Sequence, residues 1–147
     1  MPVAPFPKTM KASVDMKHIP IIAGALLGLA FITFGLLYFL EMMPKNDPPE
    51  GSPVAHFFGA FGPTGWMDFV KVCEIVGGIL VAIPKTRNFG LLVLGPIIVN
   101  ILAFHIFLTQ GAGLADPALI LICLLAAYLL WAERKTFRGL LHRQKLS

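Results

Sequence analysis

Charge is what this sequence has little of. Only 14% of its 147 residues are Asp, Glu, Lys or Arg, against ~25% in an ordinary soluble domain, and 56% are hydrophobic. That balance excludes a soluble globular domain and reads as one membrane domain. Cysteine is scarcer still. Cys73 and Cys123 lie in different apolar segments with no CxxC and no Cys/His grouping, so neither a zinc site nor a disulfide framework is indicated and no metal is expected. Nothing resembles a phosphate cradle, a GxSxG elbow, an HExxH helix or a haem motif. Paired haem ligation would need more than His105, the lone histidine inside an apolar span. No small-x-small cleavage site follows the first apolar run, Ile19 to Leu40, which is about 33 Å long as a helix at ~1.5 Å per residue and too long for a signal core. It is expected to be a retained first span.

What charge there is lies mostly outside the apolar runs. The net charge of +4 is explained by Lys and Arg flanking membrane spans, so the expected partner is a lipid bilayer and not nucleic acid. Three basic residues precede the first span (Lys8, Lys11, Lys17), two sit in the turn after the second (Lys85, Arg87) and five follow the fourth; only Lys45 lies in an outer connection. By the positive-inside rule both termini face the cytoplasm. The expected fold is all-α, a polytopic bundle of four transmembrane helices. Its divisions are a flexible basic arm at 1–18, a membrane domain at 19–132 and a basic amphipathic tail at 133–147. The spans fall at about 19–42, 66–83, 89–109 and 117–132, and an outer loop occupies 44–65.

Local signals sharpen this outline. Pro20 suits a helix first turn, and Asp116 with Pro117 makes an N-cap and first turn for the fourth span. Gly24-xxx-Gly28 allows close helix approach. Pro96 is expected to bend the third span. The aromatic stretch Val54 to Phe61 reads as a short interfacial helix, either an anchoring belt or a lid over a pocket. In the tail, Arg134, Arg138 and His142 recur every fourth residue with Phe137, Leu140 and Leu141 on another face, as in a helix lying on an anionic leaflet.

The candidate site is the set of polar residues inside the apolar hairpin Trp66 to His105. Ionisable groups in hydrocarbon are expensive and mark a protein interior or a wet cavity. Counting inward at ~1.5 Å per residue, Glu41 and Asp68 lie near the outer surface, Lys71 and His105 about 6–8 Å down, and Glu74 and Asn100 about 12–14 Å down. Two readings follow. In one, Asp68, Lys71 and Glu74 form a self-neutralising ion network, with Asn100 and His105 as interhelical hydrogen-bond glue. In the other the cluster is an outward-opening site. There Glu74 and His105 are the candidate catalytic groups, as proton carriers, and Lys71, Asp68, Asn100 and Glu41 are candidate ligand-binding groups. Asn100 and His105 differ by about 140° on a straight helix, so sharing one cavity requires a distortion between them. Cys73 and Cys123 are expected at similar depth between spans two and four, as small apolar residues or as a redox pair.

Lys71-Val72-Cys73-Glu74-Ile75-Val76-Gly77-Gly78, with Leu94-Gly95-Pro96-Ile97-Ile98-Val99-Asn100-Ile101 and Phe104-His105-Ile106-Phe107-Leu108, resembles the DoxX-like family of membrane proteins. The resemblance runs over about residues 20 to 137. It implies a compact four-helix protein of the bacterial inner membrane, in a family named from a subunit of a thiosulfate:quinone oxidoreductase. The function it implies is an accessory or assembly component of a membrane redox or stress-response system, with a membrane or periplasmic redox protein as partner. The alternatives are a quinone-linked oxidoreductase subunit, with quinone as the candidate cofactor, and a small-solute or proton transporter. The residues themselves specify neither a cofactor nor whether the protein is an enzyme.

Overall fold

Prolines and short polar side chains set the helix starts. In the computed structural model, which describes residues 16–45 and 47–142, helix α1 (Ile19–Phe39) opens with Pro20 in its first turn, where a missing N–H costs nothing. Helix α2 (Pro53–Phe61) is capped by Ser52, whose hydroxyl accepts from the Ala55 N–H at 3.2 Å. Helix α3 (Trp66–Ala82) follows a 3-10 turn at 62–64, and helix α4 (Arg87–Ala103) runs on into a π-helical turn, Phe104–Leu108. Asp116 caps α5 (Pro117–Ala132) by accepting from the N–H groups of Ala118 and Leu119 at 2.8 and 3.2 Å. Helix α6 (Arg134–His142) then turns away from α5 by 60°. No strand occurs among the described residues. The arm assigned to 1–18 lies outside them up to residue 15.

The protein is all-helical and belongs in a membrane. Two helices, Ile19–Phe39 and Arg87–Leu108, are long and apolar enough to cross a bilayer, and α5 with α6 makes a third if the bent pair is one span. Large apolar side chains such as Leu29, Phe69, Phe89, Val99 and Leu124 stand exposed around the bundle. A soluble protein would bury such a belt, and lipid covers it here.

Helix ends differ from the sequence expectation where the backbone finds a better stop. Helix α1 ends at Phe39, short of residue 42, in a Schellman motif: Met42 donates to the Leu37 carbonyl and Glu41 to that of Tyr38. Glu41 takes the left-handed position at φ 54° that usually goes to glycine. Pro96 sits within α4, and the break in α-helical bonding comes eight residues later, where Thr109 donates to the Phe104 carbonyl five residues back.

Four helices pack in a ring in the order α1, α3, α4, α5, with α1 also against α5 and the α4–α5 seam the most sparsely packed. Glycines permit the tightest approaches. A Cβ on Gly28 would run into the Gly78 carbonyl of α3, and one on Gly90 would collide with the Val81 backbone and lie 2.9 Å from the Gly77 carbonyl. Around these contacts Leu27, Val81, Leu94 and Leu129 are wholly buried. The half of the bundle nearer the α3–α4 turn is therefore closely packed.

Arg87, read from sequence as part of a basic turn, is 4% exposed. Thr86 folds the turn back by donating to the Leu80 carbonyl at 2.9 Å, so α4 begins with the Arg87 side chain under α1. Its Nε would lie 3.0 Å from a Cβ on Gly24, and its Nη1 donates to Glu133 Oε1 at 3.3 Å. Nε and Nη2 have no partner among the described residues.

Two predictions follow from this packing. Gly90→Ala must push α4 off α3 and should cost about 1–3 kcal/mol, whereas Gly95→Ala, which adds a methyl into open space, should be neutral or slightly stabilising; unfolding midpoints in detergent micelles compare the two. Glu133→Ala strands a buried guanidinium and should cost about 3–5 kcal/mol. The double change Arg87→Met with Glu133→Leu should recover most of that loss in the same assay.

Candidate functional site

At the end of the bundle covered by α2 the helices border an open cavity of about 500 Å³, lined by all four helices of the ring, by α2 and by the α4–α5 connection. Lys71, Glu74, Asn100 and His105 all line it, together with Tyr38 and Asp116. The remaining wall is apolar and rich in aromatic rings, among them Phe31, Phe34, Trp66 and Phe104. A concave, mostly apolar space with a few converging polar groups is the usual form of a small-molecule site.

Lys71 and Glu74 are one turn apart on α3. The Lys71 ammonium donates to both Glu74 carboxylate oxygens, at 3.0 and 2.9 Å, and Glu74 is 3% exposed. Two charges taken so far from water must meet, because neither alone could recover its lost hydration. The ammonium also lies 5.9 Å from the centre of the Tyr38 ring, within reach of a cation–π attraction. Tyr38 ties α1 to α3 by donating its hydroxyl to Asp68 Oδ1 at 2.9 Å.

His105 sits in the π turn. Its Nδ1 is 2.9 Å from the Ala112 carbonyl, which can only accept, so Nδ1 carries the proton of the neutral ring and Nε2 is its free acceptor. The loop holds this pose closely. Thr109 donates to the same Ala112 carbonyl at 2.6 Å, and Gly113, at φ 87°, passes so near that a Cβ there would lie 2.7 Å from the ring. Closing hydrogen bonds to the fifth residue winds the chain less per residue than an α-helix does. This supplies the distortion needed to bring His105 onto the cavity that Asn100 also lines.

The other sequence candidates separate from this group. Asp68 bonds to Tyr38, not to Lys71, and lines a smaller outer cleft together with Glu41. Glu41 is exposed and pairs with Lys45 at 3.6 Å, because its left-handed backbone turns the chain away from the bundle after α1. A single ion network through Asp68, Lys71 and Glu74 is therefore replaced by two pairings. Cys73 and Cys123 are free, half-buried thiols on α3 and α5, helices placed diagonally in the ring. Among the described residues no three His, Cys, Asp or Glu side chains are grouped to hold a metal ion.

The sequence reading missed Tyr38, Asp116 and Phe104. Tyr38 had a usable signal, since it ends a glycine-striped helix that must face α3; Phe104 could be placed only once the π turn was known. Helix α2 closes over the cavity. Phe57 and Phe58 line it and pack on Phe104 with ring centres 5.3 and 5.8 Å apart. Of the two roles open to the aromatic loop, this geometry matches a lid.

No family model matches the chain, and no solved structure matches it. It is similar to YwoB of Bacillus subtilis, an uncharacterised protein, at 27% identity over 136 residues, covering 88% of this chain and 86% of that one.

Proposed function

We propose that this chain is a four-span protein of the bacterial inner membrane, of the DoxX-like type. Both termini are cytoplasmic, and it serves as an accessory component of a membrane redox or stress-response system by holding a small amphipathic ligand in its outer chamber. The observation that carries this reading is the convergence of Lys71, Glu74, Asn100 and His105 on one aromatic-walled cavity under a helical lid. Purely structural polar glue would pack without leaving about 500 Å³ beside it. Helices α3 and α5 are 17 and 16 residues long, or about 24–26 Å at ~1.5 Å per residue, which suffices for a span beside two longer helices. Their outward faces, Phe69, Val72 and Val76 on α3 and Leu121 and Leu124 on α5, are apolar and exposed.

A second reading, a quinone-linked oxidoreductase subunit, is favoured by one specific combination. Flat aromatic walls stand beside Asn100 and His105, groups able to hydrogen-bond a carbonyl. In that reading Glu74 and His105 move protons. Transport is disfavoured, because a path through the bundle would have to cross Leu27, Val81, Leu94 and Leu129.

Purification in mild detergent followed by mass spectrometry of co-purifying lipids, quinones and polypeptides tests the first reading. Wild type should bring a companion that Glu74→Ala loses, with the yield normalised to folded protein by circular dichroism. An unchanged set of companions would reduce Glu74 to a helix-packing residue and end the proposal. For the second reading, quinone-dependent turnover in reconstituted vesicles should drop by roughly 10²-fold or more in Glu74→Gln if its carboxyl group relays the proton.

A further inference from the structure

We infer that the chamber takes the head of a lipid with an uncharged hydroxyl or carbonyl group, and that this lipid enters sideways from the bilayer between α4 and α5. The inference rests on the reading of the chamber as a ligand site and goes on to name the ligand's chemistry and route.

The head is uncharged because the buried ion pair beside Asn100 is already matched, and the one further carboxylate on the cavity, Asp116, stands exposed at the start of α5. Both Glu74 oxygens accept from the Lys71 ammonium. Asp116 spends Oδ1 on capping α5 through two backbone N–H groups. An anionic head drawn to Lys71 would oppose the Glu74 carboxylate at close range. A cationic head drawn to Glu74 would oppose the ammonium, and either would have to shed its own hydration. What remains unspent is neutral hydrogen-bonding capacity. The Asn100 amide lines the cavity and has no hydrogen bond among the described residues; its N–H and C=O can serve a hydroxyl or a carbonyl. The free Nε2 of His105 can accept from a hydroxyl.

The route follows from how the ring is closed. Glycine contacts hold α1 to α3 and α3 to α4. Helices α4 and α5 meet through Leu94, Ile98, Ala126 and Leu129 of the core, toward the inner end. Nearer the outer end, Ile101 of α4 and Ala118, Leu119 and Ile122 of α5 line the cavity. Asn100 lines the cavity and is nonetheless exposed, which places it at a mouth and not in a sealed wall. Above, α2 lies across with Phe57 and Phe58 on Phe104. The top is therefore roofed while the α4–α5 side opens on a surface that lipid covers, with Leu121, Leu124 and Val99 exposed beside it. A lipid's chain can stay in that seam while its head reaches Asn100.

The test uses the full chain in phosphatidylcholine nanodiscs with three photoreactive probes of equal chain length, a monoacylglycerol, a fatty-acid carboxylate and an alkyl trimethylammonium. Crosslinks are mapped by mass spectrometry. The monoacylglycerol should label Ile101, Leu119 or Ile122, and about five-fold more than either charged probe. Asn100→Leu should lower that labelling by about five-fold, the worth of one hydrogen bond. Filling the seam with Ile101→Trp or Ala118→Phe should abolish it, whereas Leu124→Trp on the lipid face should not.

Outcomes separate the two levels. Equal labelling of the cavity by all three probes overturns the uncharged head, and wild-type labelling in a seam variant that keeps the wild-type unfolding midpoint overturns sideways entry; in both cases the chamber remains a binding site. Labelling confined to lipid-facing residues such as Leu121, with every probe, would remove the binding reading itself.

Discussion

A charged group buried inside this bundle has no water to fall back on, and the structure is organised by the pairings that answer most of its polar side chains. Lys71 meets both oxygens of Glu74, Tyr38 meets Asp68, His105 meets the Ala112 carbonyl and Arg87 meets Glu133. For the buried groups, Glu74 and Arg87, leaving the pairing open would cost several kcal/mol in a low-dielectric surround. Each pairing therefore fixes a relation between elements. Tyr38 sets the end of α1 against the start of α3, and Arg87 sets the start of α4 against the end of α5. The pose of His105 fixes the π turn against the loop that follows it.

Within those constraints, side-chain size divides the bundle into two halves. Lipid supplies no hydrophobic drive to bring helices together, so contact depends on how closely backbones can approach. Toward the inner end Gly24, Gly28, Gly77, Gly78 and Gly90 face neighbouring backbone or side chains at distances no larger residue could keep. At the end covered by α2, Phe31, Phe34, Trp66 and Phe104 line a cavity between the helices, while Gly35 still lets α1 meet Ile75 of α3 closely there.

Much of the helical outline was legible in the sequence, for reasons that can be named. Long apolar runs, prolines at first turns and the Asp116 cap are local signals, and the helix starts at 19, 66 and 117 follow them. What local signals could not carry was partner choice. Asp68, Lys71 and Glu74 share one side of α3, and spacing alone does not reveal that Tyr38, thirty residues upstream, takes the first of them. Arg87 reads as a solvated turn residue until Glu133, forty-six residues on, is known to be waiting beneath α1. The π turn has no sequence mark either; Pro96 drew the expectation of a bend, while the register change fell at Phe104. The membrane reading came from composition, which is global and therefore robust. The site depended on pairings across the bundle, which are not.

The two buried ion pairs give the ends of the molecule opposite characters. At the inner end Arg87 lies between Gly24, α3 and Glu133, with two of its guanidinium nitrogens unpartnered. Its desolvation is only partly repaid. Such a pair specifies an arrangement more than it stabilises one. At the outer end Lys71 and Glu74 are fully satisfied by each other yet border open volume. The same chemistry therefore stands in close packing at one end of the bundle and beside a cavity at the other. That asymmetry places the open volume at the end where Phe57 and Phe58 of α2 pack on Phe104.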